Sequence, residues 1–287
     1  MSEIKASALI YCRTYCCDYD TGFLLKPDDF SDVDVNWAKE YILSATSYCD
    51  NFNGIRQVIF GNQKYLIFGI VGVLDNLFEK YEPDKQRLKQ YATDKNGRNI
   101  KCFIGYVCHM QDKESGQMPV ADVRSLINIF EEHIAKDEVW KNNSRLRLTA
   151  AYEYSLEVEK LTSRQMLGER EHVTGASEDQ SLFEAVLGQI SGADYRRLSL
   201  CTNLYNVKMM QDERFSYVSA EASTIERYKK KLSEADALEE YQEIVSIDET
   251  CKCEVISEET ETKGKTEIIV LVVTIIAVII IVFLMLL

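Results

Sequence analysis

Histidine and cysteine are the residues best suited to nucleophilic, acid–base or metal chemistry, and their spacing here argues against all three. The histidines are His109, His133 and His172; the cysteines are Cys12, Cys16, Cys17, Cys49, Cys102, Cys108, Cys201, Cys251 and Cys253. No C-x-x-C pair occurs and no pair of histidines lies nearby, so a zinc site has no ligand set. His109 follows Cys108 directly on an apolar run. Neighbours on a strand point to opposite faces, so these two cannot act as nucleophile and base for each other. Cys102 and Cys108 share a face, six residues apart, as packing thiols do. His133 falls on the polar side of its helix and His172 in a loop. Cys16–Cys17 and Cys251–Cys253 are open to acylation or oxidation, but neither pair adjoins a cation cluster that would stabilise a thiolate, which favours ordinary thiols.

Phosphate-binding and hydrolytic signatures are missing as well. The sequence has no G-x-x-x-x-G-K-[ST] loop and no G-x-G-x-x-G after a strand, and neither G-x-S-x-G nor H-E-x-x-H occurs. It calls for no cofactor and no metal, and it points away from an enzyme. The net charge of −13 is concentrated in one place. Between residues 232 and 262, eleven carboxylates face a single base, Lys252. A segment of that composition reads as an acidic stalk that anionic lipid would repel. No basic patch stands out to release counterions from nucleic acid, which disfavours that partner.

The strongest signal in the chain is physical rather than chemical. Residues 268–287, IIVLVVTIIAVIIIVFLMLL, contain no charge, no proline and no glycine. At about 1.5 Å of rise per residue, a helix of this length spans roughly the 30 Å of a bilayer core. Ile268, Val272, Ile276, Ile280, Leu284 and Leu287 mark the apolar length of the anchor, and Lys263 and Lys265 flank it on the side expected to face the cytoplasm. Thr274 and Ala277 are the small positions, three apart, and form a patch through which two spans could associate. The N-terminus lacks the basic start, apolar core and cleavage site of a signal peptide. In arrangement the last residues resemble the tail-anchored membrane proteins as a topological class. That resemblance implies insertion after synthesis, with the N-terminal part in the cytoplasm, and implies no activity.

Three regions follow: a cytosolic domain over residues 1–231, either undivided or subdivided near 160–180, the stalk over 232–267, and the span. The first has globular composition, with 46% hydrophobic and 10% aromatic residues in the whole chain, so it should fold by burial. Residues 6–17 read as a strand. Ser31 with Asp34 resembles a capping box opening a helix, whose apolar face carries Trp37, Tyr41, Ala45 and Tyr48. Strands over 55–60 and 64–73 should meet at Gly61-Asn62, two residues that tolerate positive φ. Residues 74–91 read as a helix broken at Pro83, and Asn96-Gly97 as a turn into another buried strand. Pro119 occupies the first position of an expected helix running to about Trp140. The alternation from Arg145 to Glu159 predicts one long strand with a core face and a wet face, as antiparallel sheets show. A helix over 181–189, strands near 197–204 and 215–219, and a charged helix over 224–241 complete the reading. The fold expected is α+β, a mostly antiparallel sheet with packed helices plus one C-terminal transmembrane helix.

By elimination, the sequence reads as a non-enzymatic, membrane-tethered module. It would be held at the lipid bilayer and would meet a protein partner or small ligand on the cytoplasmic side. The runner-up is an oligomerising, membrane-disrupting effector of the kind found in bacterial defence or toxin systems, which would require the homo-oligomer that Thr274 and Ala277 permit. The third is an enzyme with a site of unfamiliar design. The span offers no polar stripe to line a wet pore, which favours the plain tether.

Overall fold

A computed structural model describes residues 3–13, 15–16, 21–47, 54–110, 117–119, 122–141, 147–160, 171–174, 199–205, 207–212, 214–220 and 222–235. In chain order these form β1 (Glu3–Cys12), β2 (Gly22–Pro27), α1 (Asp32–Thr46), β3 (Arg56–Gly61), β4 (Tyr65–Val73) and α2 (Leu74–Tyr81). A 3₁₀ segment (Gln86–Tyr91) leads to β5 (Lys101–His109), β6 (Gln117–Pro119), α3 (Val123–His133), α4 (Asp137–Trp140), β7 (Leu148–Ala150) and β8 (Tyr154–Lys160). Then come β9 (Glu171–Thr174), β10 (Ser199–Leu204), α5 (Val207–Met210), β11 (Tyr217–Ala220) and α6, over 222–235. Met1–Tyr228 is one compact unit and Lys229–Leu287 a second.

The fold is α+β. Its sheet runs β6-β8-β1-β5-β4-β3-β10-β11-β9, with β2 beside β1 and β7 beside β2. It is mixed but mostly antiparallel, since only β2–β7, β10–β11 and β11–β9 pair in parallel among the described strands. The period of two along each strand sorts the core into two layers. On one face Ile4, Ala8, Ile10, Ile104 and Phe68 meet Leu77 and Phe78 of α2, Leu126 and Phe130 of α3, and Trp140 of α4. On the other, Leu9, Tyr11, Phe103, Ile67 and Phe60 meet Ala38, Ile42 and Ala45 of α1, with Met209, Met210, Ile225 and Tyr228. Cover on both faces explains why β4 and β5 read as unbroken apolar runs: β4 is buried at every position and β5 at all but its two ends. At the centre of that pair Gly69 lies opposite Gly105. A Cβ on Gly105 would sit 2.5 Å from the Phe68 carbonyl oxygen and 2.6 Å from the Phe103 ring, so the close approach requires glycine.

Several local expectations hold with altered mechanisms. Ser31 caps α1, and its backbone N–H donates to Asp34 Oδ2 at 2.9 Å, completing the box. The buried stripe of α1 is Asp34, Ala38, Ile42 and Ala45, one position round from the expected face, and Trp37 and Tyr41 lie at its half-buried margin. The β3–β4 hairpin forms, but among the described residues only Gly97 and Asn203 take positive φ. Asn62 Oδ1 instead accepts the N–H groups of Lys64 and Tyr65, each at 2.8 Å, so a side chain closes the turn.

Other expectations are corrected. Pro119 ends β6, and Asp122 is the N-cap of α3, accepting the Ser125 N–H at 2.8 Å. The helix expected to reach Trp140 stops at His133, and a separate turn, α4, carries the tryptophan. His172 lies in β9 rather than a loop. The long strand over 145–159 is two strands, although its alternation survives: Ala150 and Leu156 are buried while Thr149, Glu153, Ser155 and Glu157 are exposed. The break has a topological cause. One edge of β1 is shared, with β8 pairing Glu3–Ala6 and β2 pairing Ile10–Cys12, so β7 must pair on the far side of β2 and the chain steps inward before β8. The helix expected over 181–189 lies outside the described residues.

Candidate functional site

The residues expected to form the anchor, Ile268, Val272, Ile276, Ile280, Leu284 and Leu287, lie outside the described residues, as do Lys263, Lys265, Thr274 and Ala277. Among the described residues no helix is long and apolar enough to cross a membrane, and no three histidine, cysteine or acidic side chains gather closely enough to hold a metal ion.

The buried thiols are chemically quiet. Cys12 and Cys102 are both wholly buried. Burial, then the hydrogen bond with Cys12, pushes the Cys102 thiol well above its ordinary range, opposite to what a nucleophile needs. His133 Nε2 meets the Tyr154 hydroxyl at 2.7 Å. Cys108 and His109 take opposite faces, as expected.

His109 belongs instead to a polar cluster at its end of β5. The Asp29 carboxylate accepts the hydroxyls of Tyr65 at 2.9 Å and Tyr152 at 3.0 Å, and lies 3.4 Å from His109 Nε2. The His109 and Tyr152 rings stack with centroids 4.3 Å apart. Burial, then the bond to Asp29, raises the Tyr152 hydroxyl far above its usual range, so it stays a donor at any ordinary pH. The cluster fastens the loop after β2 to the sheet. Its parts serve one another.

The opposite end of β5 is arranged differently. The antiparallel register that sets Tyr11 opposite Phe103 brings Arg13, just beyond β1, beside Lys101, which opens β5. The last turn of α1 lies above them, and between the two is a cavity of about 420 Å³. Its lining includes Arg13, Lys101, Thr46 at the end of α1, Ser47 just beyond it, Thr21 and Tyr11. A cavity of this size suits a small molecule.

Arg13 is held from behind. Its Nη2 donates to the Asn99 carbonyl at 3.0 Å and lies 3.4 Å from Asp94 Oδ2. Asp94 in turn accepts the backbone N–H groups of Asn96 and Arg98 at 2.9 and 3.0 Å and the Arg98 Nε at 2.7 Å. Burial alone would raise this carboxyl, but the Arg98 and Asn96 N–H groups, the Arg98 side chain and Arg13 together hold it below the usual carboxylate range. The Asn-Gly turn, with Gly97 at φ +74°, thus builds the anchor that fixes Arg13.

Arg56, wholly buried, prepares the other wall. Its Nη1 donates to the carbonyls of Ala45 at 2.5 Å and Ser47 at 2.9 Å, the C-terminal acceptors of α1. That offsets the partial negative charge a helix C-terminus would otherwise turn toward the cavity.

Sequence reading did not single out Arg13, Lys101, Asp94 or Thr46. The available signal was a basic residue at the end of one strand and another at the start of an antiparallel partner, which becomes a pair only once the pairing of β1 with β5 is known. The chain matches no family model, no curated protein and no solved structure.

Proposed function

We propose that this chain is a non-enzymatic binding or sensor module tethered to a membrane, with its folded part in the cytoplasm. The observation that carries this reading is the uncharged run of 20 residues from 268 to 287, whose length and apolarity match a bilayer core. The acidic stretch before it would be repelled by anionic headgroups and would keep the folded part clear of the surface. Residues 1–228 form a compact unit whose sheet borders a cavity lined in part by Arg13 and Lys101, an arrangement suited to recognition.

Membrane fractionation of cells expressing the full chain, followed by alkaline carbonate washing, tests the tether. The chain should stay in the pellet, and Val272→Arg combined with Ile276→Arg should release it, since each arginine at the centre of a span costs about 2.5–3.5 kcal/mol on insertion scales. Wild-type protein recovered in the carbonate supernatant would overturn the proposal. Vesicles carrying the purified chain should retain an entrapped dye; leakage that grows with protein density would favour a membrane-disrupting effector instead.

A further inference from the structure

We infer that Cys12 and Cys102 are a latent cross-strand disulfide, joined by a peroxide and released again by small thiols, at the strand ends that border the cavity. This goes beyond the binding module proposed above and does not depend on the membrane tether.

Register supplies the geometry. The antiparallel pairing that sets Tyr11 opposite Phe103 continues by one step to Cys12 and Cys102, the last residue of β1 and the second of β5. Directly opposed residues in such a pair have Cα atoms about 4.5 or 5.5 Å apart, and a disulfide accepts about 4.4–6.8 Å. The backbone need not move. Both side chains belong to the core layer of α2 and α3, and the two thiols are already in hydrogen-bond contact. By contrast Cys108, the other cysteine of β5, stands across the sheet from Ala6 and Leu66, which carry no sulfur.

Burial sets the conditions. Both thiols are wholly buried, and burial keeps that of Cys102 protonated and unreactive while the sheet is closed. An oxidant meets them when the strands part at their ends, where local opening costs least. One sulfur, having lost its proton, then attacks the O–O bond of the peroxide and becomes a sulfenic acid. The second sulfur attacks the first and expels water, closing the S–S bond. The two thiols give up two protons and two electrons, and the peroxide leaves as two waters. Exchange with two equivalents of a small thiol such as glutathione reverses the step.

Alternation carries the effect to the other face. Cys12 lies between Tyr11 and Arg13, and Cys102 follows Lys101; Tyr11, Arg13 and Lys101 line the cavity. Neighbours on a strand point to opposite faces, so a bond on the α2 side ties together the backbones from which the cavity side chains project. Oxidation would fix the spacing of that border. Transient, redox-sensing disulfides are the kind that occur in a reducing cytosol.

Hydrogen peroxide titration of the full chain in detergent tests the inference, with remaining thiols blocked by N-ethylmaleimide in denaturant and the digest read by mass spectrometry. The monomer should yield a peptide pair linked through Cys12 and Cys102, lighter by two hydrogens than the separate peptides and split by dithiothreitol. Because the bond joins residues about 90 positions apart, it should raise the midpoint of thermal unfolding by roughly 5–10 °C. Cys102→Ala should abolish both the linked pair and the rise, and Cys108→Ala should keep both. A wild-type chain in which Cys12 and Cys102 remain open to maleimide after the exposed cysteines are oxidised would overturn the inference, as would either of them pairing with another cysteine or passing to the sulfinic acid. So would a thermal shift that Cys102→Ala retains in full. The wild-type map needs no variant to fold and no bilayer, so it and the carbonate test fail separately.

Discussion

The two ends of β5 carry polar clusters on the same face of the sheet, and they differ in what the side chains border once they have met one another. At the His109 end the Asp29 carboxylate takes up two tyrosine hydroxyls and faces the imidazole. At the Lys101 end one buried carboxylate faces two arginines, a lysine stands nearby, and a cavity of about 420 Å³ separates them from α1. The first cluster contains the residue types that suggest chemistry, histidine, aspartate and tyrosine, yet it works as a fastening. The second is also built on an aspartate, Asp94, but it holds an arginine at the border of a cavity, which gives it the space that a binding site needs. Residue type is a poorer guide to function here than polar side chains held at the border of a void. α1 joins the two ends, with its capping box toward the fastening and its C-terminal turn over the cavity.

The largest effect expected from breaking this contrast is at Asp94. Asp94→Ala removes the shared acceptor of Arg13, Arg98 and two backbone N–H groups. Removing one partner of a buried ion pair costs about 3–5 kcal/mol, so chemical unfolding should show a loss of that order. Unchanged stability would mean that the turn is not the anchor. Asp29→Ala should cost less, about 1–2 kcal/mol, because the carboxylate is partly exposed and water can reach the two tyrosine hydroxyls it abandons. A loss as large as that of Asp94→Ala would erase the distinction between the two ends.

Much of the fold was legible because its cues are local. Ser31 and Asp34 announce α1 within four residues, Pro83 separates α2 from the 3₁₀ segment that follows, and Asn96-Gly97 marks a turn whose glycine does take positive φ. The Arg145–Glu159 stretch shows the limit. Its alternation reports correctly which residues face inward, but a pattern of period two cannot say that the partner strand changes at Ala151. Pro119 misled for a similar reason, since a proline fits the end of an edge strand as well as the start of a helix. The candidate site was the least legible part. Arg13 and Lys101 become neighbours only through the register of β1 on β5, and Thr46 reaches them only because α1 packs across that pair. Nothing in the spacing of these residues along the chain encodes the cavity.

The smallest effect expected concerns acid and salt, and it tests whether the two ends are stabilised in the same way. Asp94 at the cavity end and Asp34 at the fastening end both titrate below the usual carboxylate range. For Asp34, burial pulls upward, and hydrogen bonds from Ser31 together with the nearby Lys64 outweigh it. A carboxyl with a depressed folded pKa contributes stability that is present above its unfolded value, about 4, and is lost as the pH falls through the folded value. Stability should therefore drop on the acid side of about pH 4. The two contributions should separate with salt. The Asp94 side chain is wholly buried among its partners, whereas the Lys64 side chain opposite Asp34 is 52% exposed, and an exposed pair of that kind is worth about 1 kcal/mol at most. In molar salt, where the screening length falls to about 3 Å, the Lys64 share should fade while the Asp94 share persists. Asp34→Asn should remove the salt-sensitive part of the acid limb, and Asp94→Asn the larger, salt-insensitive part. If both variants lose the same salt-sensitive increment, the carboxylate beside Arg13 is solvated like any surface acid, and the turn does not fix the guanidinium at the cavity.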